Sequence, residues 1–492
     1  VIATPHVDWF SIATILELLG AAGIALLGAV LVPQRRRRAF AATVAVLGSG
    51  GAIVAAVWLY VDSASGRRVI ADGFYRDRWT ALAQVIICAI ALATALISVE
   101  HIPEEHVSEF FALLLASTAG MAFFVGAANL MTLFLSLEWF SIALYVMCAI
   151  DYDREGSLEA GLKYLIVGSF GSASLLFGSA LVYGATNHIG FAEIAQAVAQ
   201  HGLHGDLLLV LGLAMIVAGL GFKMSAAPFH MWTPDVYEGA PTPLTAFMSS
   251  ATKVAALVLT LRLMRTAFPQ ETHLWSWAFA GIAVTSLVIG NFAALVQRNV
   301  KRILAYSSVS HAGFLLIGLS AGTALGARAM MFYLVPYAAM AFGSFAIIAA
   351  RERELGEAVT LENLAGFGWE RPFLGVAMWF FMFGFAGLPL GGGFIGKFYV
   401  LSAAYEHGWT WLVIVGVLAT LVSLYYYLGI VRALYVRPVG TVGVPAIVGG
   451  SPAREPFLHA AVGLALTVSI GSLFAVGPLI TLARHAAASL LF

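Results

Sequence analysis

Apolar runs of about 20 residues or more alternate with short polar clusters along the whole chain, and that length is what a helix needs to cross the hydrocarbon core of a bilayer. Such runs fall at 11–32, 39–61, 79–98, 109–127, 128–150, 159–185, 206–240, 243–268, 274–296, 303–321, 327–350, 372–406, 409–434 and 457–482. The pattern predicts an all-α polytopic membrane protein of about 14 transmembrane helices. No low-complexity tract interrupts it, and the most polar stretches, such as RERELGEAVTLENLAGFGWERP at 351–372, are too small to fold alone. A single membrane domain over 1–492 is expected.

Two runs depart from the pattern in the same way. Segments 206–240 and 372–406 are too long for one straight crossing. Each is interrupted, by Pro228 in SAAPFHMW and by Pro389 with three glycines in GLPLGGGFIGKF. Paired broken helices in two halves of a chain point to inverted repeats whose freed backbone groups line a polar, hydrated interior. The expected division is three N-terminal helices (11–98), a first five-helix repeat (109–268), a second (274–434) and a C-terminal helix (457–482), although no residue-level repeat is visible.

Composition agrees with the span count: of 492 residues 61% are hydrophobic and 11% charged, and the mean hydropathy is +0.91. The 26 basic and 26 acidic residues cancel, which leaves no basic field for nucleic acid. Cys88 and Cys148 are too far apart for a disulfide framework or metal-ligand spacing, and no pair of histidines or carboxylates is spaced as metal ligands. The first span lacks the basic flank and small-residue cleavage site of a signal peptide and is expected to stay in the mature protein. With the N-terminus outside, the inner connections hold Arg35 to Arg38, Arg154, Arg298, Lys301, Arg302, Arg351, Arg353, Arg371, Arg432, Arg437 and Arg454, 14 cations in all. The outer side holds 8, Arg262 among them. The excess favours that orientation.

The cations left over fall inside the spans, and all four are lysines: Lys163, Lys223, Lys253 and Lys397. An arginine would supply charge as well, but its guanidinium does not deprotonate in proteins, whereas a desolvated ammonium does. Each such residue at a helix centre costs roughly 2.5–3.5 kcal/mol on insertion scales, so four of them mark groups that titrate. Glu138, in FLSLEWFSIALYV, is the acid in the middle of span five and the natural partner of Lys223. Lys163, only a few residues into its span, is equally placed to snorkel to the interface. His311 lies mid-span after Ser307, Ser308 and Ser310, an arrangement suited to a water chain or to a hydrogen-bonded packing histidine. His230, two residues after Pro228, is suited either to relay protons or to satisfy backbone groups at the break.

The stretch FKMSAAPFHMWTPDVYEGAPTPLTAFMSSATKVAALVLTLR resembles the antiporter-like subunit N family of the bacterial proton-translocating NADH:quinone oxidoreductase, respiratory complex I. QRNVKRILAYSSVSHAGFLLIGL and GLPLGGGFIGKFYVL resemble it too. The resemblance implies a bacterial plasma-membrane subunit with a polar axis in the membrane plane. In that axis Glu138 and Lys223 look like the pair of a first half-channel, Lys253 like the connecting lysine, His311 and Lys397 like the second half-channel, and Lys163 like a modulating lysine. It implies no cofactor in this chain; NADH, FMN, iron–sulfur clusters and quinone belong to other subunits of the complex. Neighbouring antiporter-like and small membrane subunits would be its partners, besides the lipid bilayer. The alternative is a subunit of a multisubunit sodium/proton antiporter, which shares the glutamate and the lysines; DVYEGAPTP resembles subunit N more closely, and Lys397 stands where one sister branch is expected to carry a carboxylate. Since the chain has neither a phosphate-cradling glycine loop nor a cysteine cluster, the purified chain is expected to show no flavin or iron–sulfur absorbance in its visible spectrum. A stoichiometric chromophore would contradict this reading.

Overall fold

The computed structural model describes residues 7–63, 66–436 and 455–490. The helices in order are α1 (Ala13–Leu31), α2 (Gln34–Asp62), α3 (Arg78–Ser98), α4 (Val107–Phe124), α5 (Leu130–Cys148), α6 (Glu155–Thr186), α7 (Phe191–His201), α8 (Leu207–Lys223), α9 (Trp232–Gly239) and α10 (Thr242–Phe247). A π-helical turn (Met248–Thr252) joins α10 to α11 (Lys253–Ala267). There follow α12 (Thr272–Leu295), α13 (Val300–Ser320), α14 (Ala324–Leu355), α15 (Phe367–Glu370), α16 (Pro372–Ala386), α17 (Gly392–Glu406), α18 (Thr410–Tyr435), α19 (Pro456–Phe474) and α20 (Val476–Ala488). A small antiparallel hairpin, β1 (Arg67–Val69) and β2 (Phe74–Arg76), sits between α2 and α3.

Helix starts follow the capping residues in the sequence. Asn129 accepts from Thr132 N–H at the head of α5, Asp206 from Leu208 and Leu209 at α8, Asn299 from Lys301 at α13 and Thr323 from Gly326 at α14. Among the described residues twelve helices are long and apolar enough to cross a membrane. Two shorter apolar helices, α8 and α16, are the first halves of the interrupted segments. The chain is thus an all-α, multi-pass membrane protein. The expected last span, 457–482, is divided instead: α19 stops at Phe474, and α20 is a separate helix packed on α3 and α14.

Burial is graded across the bundle. The continuous helix Thr242–Ala267, α13 and α14 are enclosed along nearly their whole length, while α1, α2, α18 and α19 bury about a third of theirs. Polar side chains near the middle of the membrane therefore concentrate on the enclosed helices, and Leu, Val and Phe cover the rim. Where helices approach most closely, glycine makes it possible. In α6, Gly171 and Gly178 face Gly219 and Gly212 of α8. A Cβ on Gly178 would lie 2.6 Å from Gly212 O, and one on Gly219 would lie 2.7 Å from Gly171 O. This small-residue seam sets the position of α8, and with it the lysine at its end.

The connections assigned to one side by cation counting do meet on one face, which ion pairs tie together. Arg353 bonds Glu100 (2.8 Å) and Glu455 (2.7 Å), Arg302 bonds Asp235 and Glu238, and Arg154 lies 3.5 Å from Glu352. Arg437 and Arg454 lie outside the described residues. Four cations counted as surface groups are not: Arg262 is buried, paired with Asp77 (2.8 Å) and Thr80 (2.9 Å), Arg76 and Arg351 are buried in ion pairs with Asp62 and Glu370, and Lys301 is buried on the cation-rich side. An arginine or lysine one turn inside a span end looks like a flank in sequence, but here each finds an acceptor on a neighbouring helix.

If the α6–α8 seam is as tight as its distances imply, Gly178→Ala should destabilise the solubilised protein by about 1–3 kcal/mol through overpacking. Gly281→Ala, in α12 with nothing within 4 Å of its added Cβ, should have little effect. Thermal unfolding checks this; equal melting temperatures for the two variants would show that the seam can yield.

Candidate functional site

Lys223 is the last residue of α8, where unpaired carbonyls and the negative end of the helix dipole favour a cation. Its ammonium donates to Ser141 Oγ (2.7 Å) and lies 5.2–5.6 Å from the ring centroids of Phe140, Tyr145, Tyr164 and Phe222. Such rings attract a cation through their quadrupoles. The expected partner, Glu138, is not in contact: no ion pair within 4.0 Å forms, although Glu138 is near enough for its charge to act on Lys223. Its Oε1 is buried without a hydrogen-bond partner, and it shares a helix face with the exposed Met131, Leu135, Ile142 and Val146. The helical register turns Glu138 toward the rim and Ser141 toward the lysine.

The break after Lys223 is satisfied by protein. Ser286 accepts from Ala227 N–H (2.8 Å), Thr285 donates to Ala227 O (2.7 Å), and the Trp232 indole donates to Phe222 O (3.1 Å). The expectation that the freed backbone groups are hydrated is corrected on this point: α12 supplies two hydroxyls, and Pro228 and Phe229 border an apolar cavity of about 310 Å³. His230 is half-buried beside Tyr306, its Nδ1 unpartnered. The second break begins at Gly387, whose φ of +79° suits glycine, and its Cα stands close to the Lys397 stem.

Lys253 follows directly on the π-turn, the kind of local unwinding that re-aims a side chain. Its ammonium donates to the carbonyl of Ser308 and to Ser308 Oγ (2.5 Å), and it forms no ion pair among the described residues. Ser308 Oγ is hydrogen-bonded to Tyr337 (3.1 Å), which donates to Ser249 O (3.1 Å). Between the two lysines stands Tyr237, a buried tyrosine whose hydroxyl lies close to Ser225 and Ser308 but has no partner within hydrogen-bond distance.

His311 is held at both ring nitrogens, Nδ1 by Tyr333 (2.7 Å) and Nε2 by Tyr427 (3.0 Å); Tyr427 is also bonded to Ser307 (2.5 Å). Both Lys253 and Lys397 act on it electrostatically. Lys397, on α17, has a buried ammonium with no hydrogen-bond partner, 4.3 Å from the Phe314 ring centroid. Phe314 also packs near the imidazole, with ring centroids 6.0 Å apart, so one apolar ring borders both groups. Lys163 stands apart from this line. It is partly exposed at the cation-rich face, in ion pairs with Glu159 (2.6 Å) and Asp235 (2.9 Å), as a snorkelling lysine would be.

The structure thus places Lys223, Lys253, His311 and Lys397 in one buried series and leaves Lys163 at the surface and Glu138 at the rim. The sequence reading missed Tyr237, Tyr333, Tyr337 and Tyr427. The available signal was the pair of tyrosines four apart in α14 and the YYY of α18, in spans where a hydroxyl needs a partner.

Comparison with known proteins gives a consistent answer. The family described as NADH:quinone oxidoreductase/Mrp antiporter, transmembrane, matches residues 127–423. A NADH-quinone oxidoreductase subunit N of Trichlorobacter lovleyi is 41% identical over 86% of each chain, and a subunit N 2 of Roseiflexus castenholzii is 38% identical over 90% of this chain and 91% of its own. A chain in the structure of respiratory complex I from Thermus thermophilus with bound aureothin is 30% identical, with a TM-score of 0.79 over 96% of this chain and 99% of that one. A chain of the Mrp complex from Dietzia sp. superposes with a TM-score of 0.85 over 97% and 98%, but at 23% identity that is a likeness of fold alone.

Replacing both Tyr333 and Tyr427 by Phe leaves the His311 ring buried without either hydroxyl, and the loss should be about 1–3 kcal/mol for each nitrogen stranded. Melting temperature reads it. Tyr425→Phe, at an exposed ring, is the comparison; if it costs as much, the histidine does not depend on its two tyrosines.

Proposed function

The chain belongs to the NADH:quinone oxidoreductase/Mrp antiporter family, within it to the subunit N group of NADH-quinone oxidoreductase, and from that premise we propose that it is a proton-translocating, non-redox membrane subunit of that enzyme. The observation that carries the reading is the buried series itself. Three lysines and a histidine are enclosed by hydroxyls and rings, and no carboxylate within 4.0 Å neutralises any of the three lysines among the described residues. A group held for packing alone would be cheaper as methionine or leucine. A lysine solvated by neutral partners can change its protonation state without stranding a counter-ion, which a carrier requires.

In this proposal Lys223, Lys253, His311 and Lys397 pass protons in turn, and their hydroxyl neighbours fix where each proton is given up. Glu138, on the rim of the bundle, is the input through which a neighbouring membrane subunit biases Lys223. A negative charge approaching Lys223 favours its ammonium, and a receding one releases the proton. Lys163 acts on Asp235 at the start of this path. NADH, FMN, iron–sulfur clusters and quinone are assigned to partner subunits. The membrane is the bacterial plasma membrane, with the cation-rich face cytoplasmic and the N-terminus outside. The sodium/proton antiporter alternative rests on the shared family model and a likeness of fold at 23% identity, whereas a relative at 41% identity favours subunit N.

The proposal separates titration from simple charge. Lys223→Arg and Lys253→Arg keep a cation that stays protonated throughout. In the assembled complex each should lower NADH-driven proton pumping by roughly tenfold or more, the scale of a lost acid–base group. Glu138→Gln should lower it too, and Lys163→Arg should be milder. Pumping is measured as acidification of proteoliposomes alongside NADH oxidation. Normal pumping by both arginine variants would leave these lysines as structural elements.

A further inference from the structure

The series described above has no visible connection to the cation-rich face near Lys253, yet three helices point one out. On that face a cavity of about 260 Å³ is walled by Glu100, Asp151, Arg154, Thr242, Glu352 and Arg353, with His101 and Glu357 at its edge. Lys301 lies behind the wall with almost no exposure. Its ammonium donates to Thr242 Oγ1 (3.0 Å) and Ala240 O (3.2 Å) and lies 3.6 Å from Glu352 Oε1. Thr242 hydrogen-bonds Glu352, and Arg154 approaches the same carboxylate at 3.5 Å. These four groups plug the floor of the cavity.

Two helical turns deeper is a second, enclosed cavity of about 10 Å³, bordered by the hydroxyl-bearing Ser249, Ser307, Ser308, Tyr337 and Ser344. A space of that size with several polar partners is about right for a single water. The same three helices line both sites. Thr242 and Ser249 share one helix, Lys301 and Ser308 are seven residues apart on α13, and Glu352 and Ser344 lie eight apart on α14, each a drop of roughly 10–12 Å. Leu304, Phe345 and Ile348 occupy the interval between them and are buried. Ser308, on the deeper site, is the residue that holds Lys253.

We propose that Glu352 and Lys301 form a proton port on the cation-rich face that serves Lys253. The proposal rests on the reading of Lys253 as a carrier. A hydronium ion reaching the outer cavity from the aqueous side protonates the Glu352 carboxylate and is left as neutral water, which removes the charge that holds Lys301 and Arg154 to it. The plug loosens, water enters between the three helices as far as the inner cavity, and the proton leaves the Glu352 carboxyl through that water for the lone pair of a deprotonated Lys253. An O–H bond breaks, an N–H bond forms, and Glu352 is again a carboxylate that closes on Lys301. Opening is thus tied to the arrival of one proton, and Lys301 acts as a positioning residue throughout. The alternative, a pair that only pins α13 to α14, gives Glu352 no need to change its protonation state and no control over what reaches Ser249.

Two measurements on the intact complex in membranes test the port. Glu352→Gln keeps the size and the bond to Thr242 but cannot cycle a proton; it should assemble and lose most proton pumping, while Glu352→Asp restores most of it and Glu362→Gln, at an exposed surface pair, is silent. A Ser249→Cys variant should react slowly with a membrane-impermeant maleimide added at the cation-rich face, and several-fold faster when Glu352→Gln is also present; labelling is read on this chain after the subunits are separated, where Cys88 and Cys148 are both buried. Wild-type pumping in Glu352→Gln, or labelling of Ser249→Cys that is indifferent to residue 352 or comes only from the opposite face, overturns the port. Glu352-dependent labelling alongside normal pumping in Lys253→Arg would support the port while removing Lys253 as its destination. If Glu352→Gln does not assemble, Lys301→Gln carries the labelling test, with the same faster reaction expected and an unchanged rate overturning the proposal.

Discussion

An ammonium taken out of water must be solvated by whatever the protein places around it, and the placement of the helices follows from how that is done here. The cost of a bare charge in a low-dielectric interior far exceeds the stability of any single contact. Each buried lysine therefore has its own substitute for water. Lys223 has a helix C-terminus, a serine hydroxyl and four rings; Lys253 has a serine that offers both its carbonyl and its hydroxyl. Lys301 has a carboxylate, a threonine and a carbonyl. Lys397 has the least, a ring face and no hydrogen bond. None of these environments is available on an unbroken, lipid-facing helix, which is why the lysines sit where a helix ends, unwinds through a π-turn or crosses an enclosed centre.

The outer helices serve that arrangement through their packing. Glycines 171, 178, 212 and 219 let α6 and α8 approach backbone to backbone, and a displacement of α8 along that seam would carry Lys223 out of its cage. Thr285 and Ser286 of α12 do the equivalent for the break itself, because they take up the amide and the carbonyl of Ala227 that an intact helix would have paired internally. The rim can then be plain hydrocarbon. Acids still interrupt it, Glu17 exposed on α1 and Glu138 half-buried beside an exposed apolar stripe of α5, where a neighbouring chain rather than this one would decide their surroundings.

Much of this was legible in the sequence, and the limits have physical reasons. Span length and the two interrupted segments are one-dimensional signals, so the all-α bundle and the breaks near Pro228 and Pro389 could be read directly. The lysines inside spans stood out because charge there is rare. Lys301 did not, since it lies inside the RNVKR cluster, and only the first turn of α13 turns this apparent loop cation into a buried one. Pairing Glu138 with Lys223 came from composition, the nearest acid to the nearest base, whereas register decides which side of α5 each residue faces. Tyrosines were passed over because their rings count as apolar, although Tyr237, Tyr333, Tyr337 and Tyr427 supply much of the hydroxyl framework. The π-turn before Lys253 has no signature in SSATK that distinguishes it from ordinary helix.

The series is discontinuous, and its gaps carry information. Direct hydrogen bonds run from Lys253 through Ser308 to Tyr337, and from Tyr333 through His311 and Tyr427 to Ser307, but they stop short of each other and of the outer lysines. Tyr237 has a buried hydroxyl without a hydrogen-bond partner near Ser225 and Ser308, and Phe314 packs near both His311 and Lys397. A continuous wire would let protons equilibrate across the membrane and dissipate the gradient that a pump must build. On the proposed reading, short ordered segments separated by gaps would prevent that, because a proton would advance only when a change of charge nearby draws water into the next gap. Directionality, on that same reading, lies in the order in which those gaps are wetted, and the side chains that border them, Tyr237, Phe314 and the proposed Glu352–Lys301 plug, would matter as much as the groups that hold the proton.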